Sequence, residues 1–399
     1  MPKVKKNNKA ESSVYPKKVI RTFAWASFLN DLGSDMIYPI WPLFVTSFTG
    51  VNMAVLGFID GLGDAIVSIS QAVSGYISDR IRKRKIFVWI GYLFGAFSRV
   101  GYALAPVWQF LIPYRILDRA GKIRGAPRDA IIADISTHEN RGKNFGFLRM
   151  MDNLGAVLGI ILCILLVNII GYKKLFLIAA VPSLIGAFLI FIIIKERKDN
   201  TKKIFKGFSF RDLDWNFKLF LISSSVFALG AFSYSFLIIS AQKIRIGTGF
   251  IPVLYLIFTA VASLFSLPFG KLADKIGRKP VLMLSLFFWS LVCASVIIPQ
   301  NLITIIFTFI LFGLHKAALD PVQKAFVAEL APVQFRASTL GGFQMVLGLC
   351  AFPASFLAGI FWDKISVSAP FYLSLVLTLL SIGVLVFVKE NNSNFSHVK

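Results

Sequence analysis

Gly75-Tyr-Ile-Ser-Asp79-Arg80-Ile-Arg82-Lys-Arg84-Lys85 and Gly270-Lys-Leu-Ala-Asp274-Lys275-Ile-Gly-Arg278-Lys279-Pro280 are near-copies of one loop, 195 positions apart. The same offset joins Asp134 to Glu329, Arg141 to Arg336, Gly146 to Gly341 and Met150 to Met345. A constant offset sustained over roughly 75 residues is the mark of an internal repeat. The 399-residue chain therefore reads as two similar halves.

Composition decides what kind of halves these are. Apolar residues make up 56% of the chain, Phe alone contributes 40, and the mean hydropathy is +0.71, far from a soluble balance. Apolar runs long enough to cross a bilayer recur along almost the whole length. The formal net charge of +23 is not a nucleic-acid footprint, because it falls into alternating loops. Lys3, Lys5, Lys6, Lys9, Lys17, Lys18, the cluster Arg80 to Lys85, the stretch Lys195 to Lys218 and Lys271 to Lys279 lie on one side, and Lys173, Lys174, Lys243, Arg245 and Lys364 on the other. The positive-inside rule then puts both termini in the cytoplasm, with basic loops against anionic headgroups. The expected location is a cytoplasmic (inner) membrane, with no cleavable leader.

The sequence predicts an all-α membrane protein of twelve spans, near 19–48, 52–79, 86–105, 107–135, 142–169, 173–194, 217–242, 250–273, 280–298, 301–330, 337–362 and 368–388. The expected layout is a tail over 1–18, a six-helix bundle over 19–194, a basic linker over 195–216, a second bundle over 217–388 and a tail over 389–399. Cys163, Cys293 and Cys350 sit in apolar runs without metal-ligand spacing, so neither a disulfide framework nor a metal site is expected. No nucleotide-binding loop is present, and no cofactor or catalytic residue is expected.

Ionisable residues inside a bilayer are costly and usually functional. Helix 1 carries Asn30, Asp31, Asp35 and Tyr38, and helix 2 carries Asp60 and Asp64. Each acidic pair is spaced i, i+4 and shares one helix face. Helix 4 supplies opposite charge on one face through Arg115, Asp118, Arg119 and Lys122. These residues are candidates for proton coupling or solute binding; permanent structural ion pairs are the plainer alternative. Helix 10 adds His315, Lys316 and Asp320. Lys316 and Asp320 are spaced to pair with each other, and His315 is of a type that titrates near neutral pH. Tyr38, Asn30, Gln242, Tyr255 and Gln344 are candidate cavity-lining residues. Gly155 and Gly159 form a small-xxx-small packing seam. The acidic pairs are not duplicated: the positions 195 later are Val226, Gly230, Tyr255 and Thr259.

The duplicated loop resembles the signature loop of the major facilitator superfamily, at the expected place in both halves. The first copy departs from the pattern at Arg82, where Gly is usual. Helix 1 (Asn30-Asp31-x-x-Ser34-Asp35-Met-Ile-Tyr38-Pro39) and helix 4 (Asp118-Arg119-x-Gly121-Lys122-x-Arg124-x-x-Pro127-Arg128-Asp129) are similar to a bacterial branch of permeases and drug-resistance-type transporters. That branch carries a further Gly in helix 4, which this chain lacks. The resemblance implies two six-helix bundles and alternating access. It gives Gly75, Asp79, Arg80, Arg84, Gly270, Asp274, Lys275 and Arg278 a role in conformational gating. It also implies a secondary transporter, leading to proton-coupled export of a small organic compound. Proton-coupled or facilitated import of a small metabolite, with anions among the candidates, is the alternative, and a lipid-handling or receptor protein on the same fold ranks lower. Small solutes, protons and membrane lipids are the expected partners, with the chain a monomer.

Overall fold

The computed structural model describes residues 7–81, 83–136, 141–195, 214–243, 247–299, 301–331 and 336–390. Arg82, Arg245, the bulk of the linker (196–213), the outermost tails and the side chains of Asp79, Arg141 and Arg336 lie outside the described residues. Twelve helical spans are present and no strand occurs among the described residues. Helices suit a chain in lipid, because every backbone N–H and C=O finds its partner within the segment.

Helix 2 is Met53–Ile81 and helix 3 is Lys85–Leu104. Helices 5 and 6 form one run, Arg141–Ile193, broken where Gly171 takes φ 73°. Helices 8 to 12 are Ile251–Ile276, Arg278–Ile297, Leu302–Leu330, Arg336–Lys364 and Ala369–Phe387. Helices 5 and 11 begin at Arg141 and Arg336 and so keep the offset of 195.

Three spans are less regular than the sequence suggests. Helix 1 runs Asn7–Asp35, turns through residues 36–40 and resumes at Trp41–Thr46. Helix 7 runs Trp215–Gly230, opens over 231–234 and resumes at Ser235–Gln242. Both first segments end at equivalent positions, Asp35 and Gly230, so the break is part of the repeat. Pro39 explains the first break, since its ring and missing N–H cannot continue a helix. The second lacks proline and is held by hydroxyls: Ser355 Oγ accepts the Ser233 N–H at 3.1 Å, and Ser233 Oγ accepts the Ser235 N–H at 3.2 Å. Helix 4 consists of Leu111–Ala120, a 3-10 turn over Gly121–Arg124, and Gly125–Ile135. Gly121 and Gly91 of helix 3 face each other there, and a Cβ on either would lie 2.8 or 2.6 Å from the other's carbonyl oxygen.

Close contacts divide the chain into two compact units, Met1–Tyr38 with Ser70–Lys202, and Pro39–Ile69 with Lys203–Lys399. In the first unit, helix 5 lies against helix 1 so tightly that a Cβ on Gly155 or Gly159 would strike the carbonyl of Phe28 or Leu32. Phe23, Val88, Tyr92, Ile132 and Ile190 form its apolar core. In the second, Asp363 accepts the Met53 and Ala54 N–H groups at 3.1 and 2.8 Å, capping helix 2.

The duplicated loop makes a similar fastening in each half, through basic residues one position out of the 195 register. Arg84 pairs with Asp134 and Arg278 with Glu329. Lys85 Nζ donates to the Phe191 carbonyl at 2.7 Å, and Lys279 Nζ to the equivalent Val386 carbonyl at 2.6 Å. Each loop thus fixes the end of the same half's helix 4 or 10 and satisfies a carbonyl at the end of helix 6 or 12, as lysines near helix C-termini do. Gly277 takes φ 107° in the second copy, a region that favours glycine.

Candidate functional site

The polar interior of the first unit is built on helix 1. Asn30, Asp31, Ser34, Asp35 and Tyr38 recur at three- and four-residue spacing and face helices 3, 4 and 6. Asn30 and Ser34 are buried, whereas Asp31, Asp35 and Tyr38 are half-buried. Asn30 Nδ2 donates to Asp31 Oδ1 at 3.0 Å. The charged groups acting on the Asp35 carboxyl are Asp31, Lys122, Arg99 and Arg119. Among the described residues, no direct ion pair joins Asp31 or Asp35 to a cation.

Arg99 of helix 3 is the centre that the sequence reading missed. It is 2% exposed. Its Nη2 donates to Ser34 Oγ at 2.7 Å and the Asn30 carbonyl at 3.2 Å. Nη1 donates to the Ala179 carbonyl at 3.0 Å and to Ser183 Oγ, both on helix 6. One guanidinium therefore ties helices 1, 3 and 6 together, a use of Arg's rigid fork that Lys could not reproduce. A single charge in the otherwise apolar run from Ile86 to Leu104 was the available signal.

Helix 4 brings its predicted residues to this interior. Arg115 and Arg119 are buried, and Asp118 and Lys122 half-buried. Arg119 lies 3.7 Å from Asp118, donates to Tyr38 Oη at 3.3 Å and stacks over the Tyr38 ring at 5.1 Å. Further along, Arg128 donates to Ser27 Oγ at 2.7 Å and to Asp129 at 3.0 Å. Asp152 of helix 5 stands 4.0 Å from Arg128.

The remaining candidates lie elsewhere. Asp60, in the second unit, is 2% exposed. It accepts from Trp41 Nε1 at 2.8 Å, from Ser233 Oγ at 2.9 Å and from Ser235 Oγ. Asp64, one turn on, is exposed, so the two acids of helix 2 occupy different surroundings. His315 is buried between Trp289 and Phe227, with Nδ1 3.0 Å from Ser285 Oγ. Lys316 and Asp320 are 3.7 Å apart on a more open face. Tyr255 is buried against Tyr234, Gln344 half-buried and Gln242 exposed. Of the loop residues, Asp274 is largely exposed and lies 3.8 Å from Arg278.

A twelve-span repeat with a broken first helix in each half and charge held inside one bundle is the architecture of a secondary transporter. The solved nucleoside transporter NupG shares the fold, with a TM-score of 0.73 at 15% identity over 92% of this chain and 97% of its own. A D-xylose–proton symporter gives 0.74 at 15% identity over 96% and 99%. The chain belongs to the Major Facilitator Superfamily, whose sequence profile matches residues 23–255 and again 219–396. It is 35% identical to an uncharacterised MFS-type transporter of Methanocaldococcus jannaschii, over 96% of this chain and 98% of that one. The multi-drug resistance efflux pump PmrA of Streptococcus pneumoniae is 26% identical over 77% of this chain and 80% of its own. The protein is thus a membrane transporter and not an enzyme.

Proposed function

We propose that the chain exports a small organic compound from the cytoplasm by proton antiport, with Asp35 and Asp31 as the coupling carboxylates. The observation that carries this reading is the contrast on the inner face of the first unit. Arg99 is locked by backbone and hydroxyl partners, and Arg119 engages Tyr38 and Asp118. Asp31 and Asp35 face these cations without a direct ion pair among the described residues. A carboxylate so placed takes up a proton or a solute group without first breaking a salt bridge. Alternating access then requires only that the two occupants exclude one another. The resemblance to an efflux pump supports the outward direction.

A second reading rests on charge. Arg99, Arg115, Arg119, Lys122, Arg124 and Arg128 outnumber Asp31, Asp35, Asp118, Asp129 and Asp152 inside this unit, which suits an anionic metabolite carried inward. A relative 22% identical over 80% of the chain is a probable 4-methylmuconolactone transporter of Cupriavidus pinatubonensis.

Proteoliposomes enclosing a pH-sensitive dye separate the two readings. Ethidium, a flat organic cation, and benzoate, a simple organic anion, serve as first probes. Under antiport export, an ethidium gradient drives protons the opposite way, and Asp35→Asn abolishes that movement. Benzoate and protons entering together would overturn the export reading. Solute flux without proton movement would overturn coupling.

A further inference from the structure

We infer that Asp152 of helix 5 is a second proton station, the carboxylate through which protons pass between Asp31/Asp35 and the basic-loop end of the first unit. The inference rests on the coupling reading above and extends it to a residue that reading does not need.

Geometry comes first. Ser27, Asp31 and Asp35 recur every four residues along helix 1 and form a polar stripe spanning about 12 Å at 1.5 Å per residue. At its Ser27 end the stripe meets helix 5, which Gly155 and Gly159 allow to touch the helix 1 backbone. Asp152 lies one turn before Gly155. Asp31 and Ser27 are among the groups that act on its carboxyl.

Asp152 is held by two long ion-pair contacts rather than by a close one. Arg128, the buried cation nearby, is already satisfied by Asp129 at 3.0 Å and Ser27 at 2.7 Å. Asp152 stands farther off, at 4.0 Å. Asp152 is 9% exposed, and its Oδ1 has no partner within hydrogen-bond distance among the described residues, although the Ser27 hydroxyl lies near enough to act on the carboxyl as a donor. A buried carboxylate oxygen left in that state is costly and calls for an explanation. Its other oxygen lies 3.4 Å from Arg149, which is 65% exposed and one turn nearer the start of helix 5. Asp152 therefore connects an enclosed stripe to an open end. The groups acting on it are Asp31 and Ser27 of helix 1, Arg128 of helix 4 and Arg149 of its own helix; Tyr92 of helix 3 and Asp129 of helix 4 in turn hold Ser27 and Arg128.

The transfer itself is simple. The proton leaves the Asp31 carboxylic acid, whose O–H bond breaks, and bonds to the Ser27 oxygen, while the Ser27 hydroxyl proton forms an O–H bond on the Asp152 carboxylate. Asp152 then releases it to water beside Arg149, and the reverse sequence loads the site.

The test needs protons alone. Purified protein is subjected to a pH jump while a soluble dye reports proton uptake and infrared difference spectra follow the protonated-carboxyl bands. Asp152→Asn should slow protonation of Asp35, identified as the band missing in Asp35→Asn, by roughly tenfold or more. Its equilibrium titration should hold, and Asp152→Glu should restore the rate. A purely structural residue would not separate rate from equilibrium in this way. An unchanged rate in Asp152→Asn overturns the relay and leaves coupling through Asp35 standing. Absence of any titrating Asp35 band in the unmodified protein overturns coupling itself. Should Asp152→Asn not remain monodisperse, Ser27→Ala interrupts the same path. A smaller slowing there supports the relay, and none overturns it.

Discussion

The two halves of this chain share a frame and differ in what the frame encloses. Arg84–Asp134 and Arg278–Glu329 fasten equivalent corners, Lys85 and Lys279 reach equivalent carbonyls, and helices 1 and 7 break at equivalent residues. Inside, the correspondence stops. The positions 195 beyond Arg99, Arg115, Asp118, Arg119 and Lys122 hold Ala294, Ile310, Gly313, Leu314 and Ala317, and those beyond Asp35 and Asp152 hold Gly230 and Leu347. The second half instead encloses aromatic rings around His315, with the Lys316–Asp320 pair on a more open face. The contacts that close a bundle recur in both halves, whereas the cluster of buried cations stands in the first.

Breaking the charged interior should show this contrast most strongly. Arg99→Ala leaves the Asn30 and Ala179 carbonyls and the Ser34 and Ser183 hydroxyls without their donor. At about 1 kcal/mol or more for each unsatisfied group, the expected outcome is a large fall in Tm in detergent, or loss of the monodisperse peak. The counterpart Ala294→Ser should change Tm little.

Next in size is the seam between helices 1 and 5. Gly155→Leu forces a side chain into the Phe28 carbonyl and should cost on the order of 1–3 kcal/mol, read by the same thermal assay. Its counterpart Cys350 is half-buried, so Cys350→Leu should be nearly silent. Equal effects would mean that the second half carries a seam just as tight.

His315 sharpens the functional side of the comparison. His315→Gln should lower stability by about 1 kcal/mol through the lost aromatic packing. The pH profile of transport should stay where it is, whereas Asp35→Asn abolishes the pH response. A displaced profile in His315→Gln would bring the second half into the coupling chemistry.

The smallest effects belong to the shared frame. Glu329 is 13% exposed and Asp134 57%, so Arg278→Ala should destabilise more than Arg84→Ala. The latter should remain within the ~0–1 kcal/mol of surface pairs. The reverse order would show that the first loop, with Arg82 in place of Gly277, is the more tightly held.

Much of the frame was legible because repeats and hydropathy are written in long stretches. The loop copies at Gly75 and Gly270 located the halves, and the expected 301–330 span differs from Leu302–Leu330 by one residue. The acids of helix 1 and the cations of helix 4 were legible because several charges recur on one face. Arg99 was not, since it is a lone charge in an apolar run, and neither was Asp152, whose i, i+3 neighbour Arg149 makes it read as part of a surface pair near the helix start. Trp41, Ser233 and Ser235 were hidden for a different reason. Asp60 finds them only because helix 7 opens at 231–234, and no proline announces that opening.

Nine helical runs among the described residues are long and apolar enough to enter a bilayer unaided, and neither helix 1 nor helix 4 is among them. On the scale set by the cell's insertion machinery, each Asp, Lys or Arg at a helix centre opposes entry by about 2.5–3.5 kcal/mol. Helix 4 carries seven charges between Arg115 and Asp129. On that scale it would resist entering as a solitary segment, and helices already waiting beside the translocon would ease its entry. Arg99 and the helix 1 stripe would make the newborn bundle a receptor for its own fourth helix. The polar interior that serves transport in the finished protein would thus also dictate the order in which the protein is put together.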